Sequence, residues 1–186
     1  MKKYSKYVFL VFILAIVTVP FILSGDKMDI KISSTAFMEG AMISSKYTCD
    51  DENISPQIAW ANYPKRTETF VLIADDPDAP MGTWVHWVVY NIPHTINKLE
   101  EAFPQDDQFD NGIIQGTTDF RTIGYGGPCP PGGTHRYFFK IYALDAKLDV
   151  KPGLQKKEIL KAMEGHIIAK GQLMGKYKRK DEGRRK

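Results

Sequence analysis

The chain has 186 residues, with 25 lysine and arginine residues against 22 aspartate and glutamate residues, a length that suits one domain able to bury a substantial core. Its positive charge sits at the ends: residues 1–25 carry three lysines and no acid, residues 170–186 carry eight basic and two acidic residues, and the body between is mildly acidic. That distribution argues against a nucleic-acid binder, whose basic residues would be expected as a patch on the folded domain.

Lys2, Lys3 and Lys6 precede Tyr7 to Leu23, seventeen residues without a charge. Such a segment is a secretory signal or an N-terminal membrane anchor, predicted here as a hydrophobic helix over residues 1–25. No small-residue cleavage site follows it, which tilts the reading toward an uncleaved anchor with the lysines inside and the domain outside. After it, residues 26–178 form the predicted domain, and 179–186 a basic tail. Met28 to Ser33 alternates and reads as an opening strand. Ala36 to Lys46 is expected to hold a short strand and a turn. Cys49 to Pro56 is a polar loop in which Asn53 and Ser55 are expected to bond nearby backbone. Gln57 to Trp60 is a short strand.

Phe70 to Ala74 is an apolar, partly β-branched run that reads as a core strand and runs into Asp75, Asp76, Pro77, Asp78, Ala79 and Pro80. The prolines stop the strand and stiffen the loop. A second strand follows, in which alternation would put Trp84, His86, Val88 and Tyr90 on one face and Val85, Trp87 and Val89 on the other. Residues 93–119 are long and polar, with turn signals at Phe103-Pro104 and Asn111-Gly112. The five glycines and three prolines from Gly124 to Gly133 then give way to an aromatic strand on which His135, Tyr137, Phe139 and Ile141 share a face. Each of two strands thus presents a histidine directly after a Pro/Gly loop. From Lys156 to Lys170 the spacing of Ile159, Met163 and Ile167 predicts the one helix of the domain, and Gln172 to Tyr177 a last strand.

Two of these stretches, DPDAP followed by W-x-H-W and GP-x-PP-x-G-x-HRY, resemble the signature regions of the phosphatidylethanolamine-binding protein family, which includes Raf kinase inhibitor proteins and their prokaryotic relatives. The similarity runs from about Ile30 to Tyr177 and includes NISPQIAW near Asn53 and HIIAKGQLMGKY at the end. One departure stands out: after Asp119-Phe120 this chain has Arg121 where relatives generally place glycine, which could set a cation near a pocket mouth. Short strands with Pro/Gly turns and no βαβ alternation point to an antiparallel β-sandwich with a C-terminal helix, as the resemblance implies.

The resemblance implies that Asp76, Asp78, His86, His135 and Tyr137 line a small cavity for anions such as phosphate, acetate or a phospholipid phosphoryl head group, with Trp84 as an apolar wall. On that reading the carboxylates hold the histidines in one tautomer and favour their charged form, and the loop from Gly126 to Gly133 adds backbone N–H donors. The even count and exported address of Cys49 and Cys129 favour a disulfide, against two reduced buried thiols. Closing about 80 residues, it would contribute ~4 kcal/mol on the chain-entropy model. A non-enzymatic ligand-binding protein without a cofactor is the leading expectation. An exported serine protease inhibitor acting through a surface loop, and a metal-binding hydrolase built on the Asp/His cluster, are the alternatives; a kinase partner is what the resemblance adds, and an exported position argues against it.

Overall fold

The computed structural model describes residues 29–179; the expected signal or anchor helix over 1–25 lies outside them. Two antiparallel sheets pack face to face. The smaller has the order β1-β2-β5, from Lys31–Ser33 (β1), Ile58–Ala61 (β2) and Lys98–Leu99 (β5). The larger has the order β6-β4-β3-β7-β8, from Thr69–Asp76 (β3), Trp84–Pro93 (β4), Ile114–Gln115 (β6), His135–Leu144 (β7) and Ile167–Tyr177 (β8). One α-helix among the described residues, Lys156–Ala162 (α1), lies on the far side of the larger sheet.

Two apolar clusters hold these layers together. Between the sheets, Ile58, Trp60 and Leu99 meet Phe70, Leu72, Trp87, Phe139 and Ile141. On the other face of the larger sheet, Val71, Ile73, Val88 and Tyr90 meet Ile159 and Met163. Covered on both faces, β3 is buried at all eight positions. Its uninterrupted apolar run follows from this, because a strand with no solvent face has no reason to alternate.

The alternation expected of β4 is broken. Ala74 opposes Trp87 and Asp75 opposes Val85, so His86 is an extra residue, a β-bulge. Beyond it the two faces exchange. Val88 and Tyr90 join Val85 on the helix side, while His86 packs against Tyr137 and lies on the same side as Trp87 and Val89.

Three expected elements also differ. The opening strand covers Lys31–Ser33, with Asp29 in an isolated bridge to Lys170. Residues 36–46 form no strand of their own: Met42 makes one isolated bridge to Lys176, and Ser45–Tyr47 is a 3-10 turn. The helix ends at Ala162, not Lys170. Ile159 and Met163 are fully buried, but Gly165 takes φ +82°, and Ile167 opens β8 opposite Leu144. The spacing of Ile167 matched a helix by coincidence; ladder bonds to β7 outweighed it.

Candidate functional site

At the end of the larger sheet where β3 stops and β4 and β7 begin, a cavity of about 400 Å³ opens. Asp76, His86 and His135 supply its titratable groups, and Pro80, Met81, Trp84, Phe120 and Pro130 much of its apolar wall. Sheet geometry converges the two histidines: each lies at or near the start of a strand that neighbours β3, directly after its loop.

Asp76 is 3% exposed and fully engaged. One carboxylate oxygen pairs with His135 Nδ1 at 2.8 Å, and the other accepts the Asp78 N–H at 2.8 Å. It therefore caps the turn and holds the imidazole at once. His86 is held differently. Its Nδ1 donates to the Gly126 carbonyl at 2.6 Å, and the Gly126 N–H donates back to the His86 carbonyl at 2.9 Å. Burial pushes the His86 pKa below the ordinary histidine value, outweighing the opposing pull of the Gly126 carbonyl and the Asp76 charge. The resting His86 ring is therefore neutral near pH 7, with Nδ1–H committed to a main-chain carbonyl, not the carboxylate-held imidazolium expected from the sequence.

Asp78 serves neither histidine. It accepts Arg136 Nε at 2.8 Å, a second guanidinium nitrogen at 2.6 Å and the Arg136 backbone N–H at 3.0 Å. The guanidinium holds its carboxyl down at about 2. Asp78 thereby fastens the 77–83 loop to the start of β7. Tyr137 sits edge-on to the His86 ring, 5.2 Å between centroids, and its hydroxyl is buried without a hydrogen-bond partner. Burial, then the Asp76 charge, drives its pKa far up, so it remains a protonated donor.

The Pro/Gly loop shapes the wall. A Cβ on Gly126 would come within 2.5 Å of the Phe120 ring, so only glycine admits this approach. Two of the expected backbone donors are spent internally: Gly126 N–H on His86, Gly127 N–H on Asn53 Oδ1 at 2.8 Å. Asn53 and Ser55 thus do not bond nearby backbone as expected. Asn53 reaches Gly127, and Ser55 Oγ accepts the Phe103 N–H at 2.8 Å. Cys49 and Cys129 form a disulfide that ties the same two loops together, with Cys129 in the cavity wall.

Sequence reading missed Phe120, Met81 and the rim prolines. Phe120 packs edge-on to both Trp84 and His86, 5.5 and 5.3 Å between centroids. Its signal was the residue beside it. Arg121 takes φ +64°, the left-handed conformation that favours glycine, and this turn delivers Phe120, not the arginine, to the cavity lining. Among the described residues no group of three or more His, Cys, Asp or Glu side chains is placed to hold a metal ion.

The phosphatidylethanolamine-binding protein family model matches residues 33–178, most of the chain. The chain belongs to the phosphatidylethanolamine-binding protein family. It is 48% identical to a UPF0098 protein of Methanothermobacter thermautotrophicus over 148 residues, 80% of this chain and 98% of the relative. Among solved structures it is similar to a phosphatidylethanolamine-binding protein homolog of Chlamydia trachomatis, 39% identical with a TM-score of 0.74, covering 81% of this chain and 98% of that one. It is also similar to E. coli YbcL, described as a member of the mammalian family, 30% identical with a TM-score of 0.75, covering 83% and 99%. The mainly antiparallel β fold with one C-terminal helix is that of this family.

Proposed function

We propose that this family member is a non-enzymatic binding domain whose cavity takes a small anion of the phosphate or phosphoryl head-group type, and that through it the domain acts as an inhibitor or regulator of a partner protein. The observation that carries this reading is the commitment of both Nδ1 atoms, His86 to Gly126 and His135 to Asp76. Each ring is left with Nε2 as its remaining polar atom, in a cavity whose wall is otherwise largely apolar. A protonated Nε2 donates a charge-assisted bond to an anionic oxygen, and the unpartnered Tyr137 hydroxyl is a further donor nearby. Cys129, the cavity's one thiol-type side chain, is spent in the disulfide, which supports binding over nucleophilic chemistry. Residues 1–25 would serve as the tether of an exported domain, with Lys2, Lys3 and Lys6 on one side of an uncharged run.

Because the resting His86 is neutral, anion binding carries proton uptake. Affinity then falls as pH rises, by up to about tenfold per pH unit for each proton taken up. Calorimetric titration with phosphate and phosphoethanolamine at pH 6 and pH 8 reads this directly. Binding that weakens at pH 8 and is lost in folded His86→Ala and His135→Ala variants supports the reading. Absence of binding for both compounds at pH 6 defeats it.

A further inference from the structure

We infer that the outer face of β7 and β8 is a docking surface for an anionic lipid bilayer. The two strands pair in register from His135–Tyr177 to Ala143–Ala169, with a shift before Leu144–Ile167, and their odd-numbered residues from Tyr137 to Ala143 and from Ala169 to Tyr177 point into the inter-sheet core wherever they carry a large side chain. The even-numbered residues point outward, on the side where α1 covers β3 and β4. Eight such side chains lie in the paired segment 136–142 and 170–176. Four are cationic, Arg136, Lys140, Lys170 and Lys176, two are aromatic, Phe138 and Tyr142, and none is acidic.

Neighbouring acids neutralise part of this charge and leave the rest. Asp78 pairs with Arg136, and Asp75 with Lys140. Among the described residues no carboxylate lies within ion-pair distance of Lys170 or Lys176, although Asp29 lines the same depression as Lys140 and Lys170. Arg136 and Lys140 both stand over the Phe138 ring, at 5.7 and 5.6 Å. The β8 edge adds exposed apolar side chains, Met42 at 54% beside Lys176 and Ile167 at 43%. Cations interleaved with aromatic and flexible apolar groups suit the head-group region of a bilayer. A mildly acidic body conceals this face in the composition, although the paired strand segments themselves carry no acid.

The path of the chain selects the occupant. Ile30 N–H bonds the Lys170 carbonyl, so the polypeptide enters the domain at one end of this face. Five residues separate Leu23, the last of the uncharged run, from Asp29, a reach of at most about 20 Å. The basic tail leaves from Tyr177, at the other end of β8. A tether this short holds the face close to whatever its apolar segment enters. The choice of occupant rests on the anchor reading, but the test does not, because residues 1–28 are removed.

The domain from residue 29 onward matches a unit that makes up nearly all of the Methanothermobacter relative, and its core lies wholly within that range. Its partition onto vesicles is measured by sedimentation, with phosphatidylglycerol-containing and pure phosphatidylcholine vesicles. Preference for the anionic vesicles is expected, lost as salt approaches 1 M, where screening acts within about 3 Å. Lys170→Gln with Lys176→Gln should weaken partition roughly tenfold to thirtyfold, while Lys65→Gln with Arg66→Gln should change it less than about twofold. Equal partition onto both vesicles, or equal losses in both double variants, overturns the inference. So does displacement by excess soluble phosphoethanolamine, which would place binding in the cavity. Tighter binding of a single-stranded oligonucleotide through the same two lysines would overturn the choice of lipid.

Discussion

Asp75 and Asp76 are consecutive residues of one strand, both almost wholly buried, and they meet opposite fates. Asp75 faces the helix side, where Lys140 approaches at 2.7 and 2.9 Å and Lys156 at 2.5 Å. Asp76 faces the cavity, where its partners are a histidine and a backbone N–H. Two lysines make a closed ion cluster, and it joins the start of α1 to the sheet. A histidine pairs through Nδ1 alone and leaves its other ring nitrogen uncommitted beside the cavity. Consecutive buried carboxylates thus differ by what they meet: one closes an ion cluster, the other leaves a polar ring atom at a cavity.

The largest expected effect lies on the closed side. Asp75→Ala removes the shared partner of two lysines, and breaking a buried pair costs about 3–5 kcal/mol. Lys140 and Lys156 retain 28% and 22% side-chain exposure, so water recovers part of this and about 3 kcal/mol is expected. Asp76→Ala should cost less in stability but abolish pH-dependent phosphate binding. Urea midpoints for the two variants, measured beside phosphate titrations, check the division; a reversed order would dissolve the contrast.

A middle-sized effect concerns pH. His86 has a folded pKa below its unfolded value of about 6.5. Above that value neither state binds the proton and nothing is lost. As pH falls below it, the unfolded chain takes up a proton that the native ring resists, so stability declines toward the folded pKa. His86→Gln should flatten the stability profile between pH 6.5 and 5 by up to about 1 kcal/mol per pH unit. An unchanged slope in denaturant titrations across that window would show that the ring titrates freely.

Smallest of all should be Tyr137→Phe. Its hydroxyl is buried without a partner, so removing it is expected to change stability by less than about 1 kcal/mol, in either direction. If phosphate affinity falls at the same time, the hydroxyl is held in reserve for a ligand; a loss of about 2 kcal/mol in melting experiments would instead reveal a bond it makes at rest.

Much of the architecture was legible in the residues, for identifiable reasons. An eight-residue buried strand needs continuous apolar character, two prolines must end it, and a stretch of five glycines and three prolines cannot be regular structure. The site was legible as a set of residue types but not as a set of bonds. His86 and His135 look alike in the chain, each after a Pro/Gly loop, yet one is held by a main-chain carbonyl and the other by a carboxylate. That difference depends on where Gly126 passes, forty residues away. The Phe120 wall was hidden because an aromatic residue in a loop shows no period.

By itself, then, the sequence determined the strands, the stiff loops, the two histidines and the family, because strand content, proline and glycine act locally and the signature motifs are contiguous. Tertiary structure decided the rest. The bulge at His86 exchanged the faces of β4, the ladder to β7 claimed Ile167 from the helix, and Asp78 went to Arg136 instead of a histidine. These outcomes turn on hydrogen bonds and ion pairs between residues far apart in the chain, and their energies exist only once the sheets have brought the partners together.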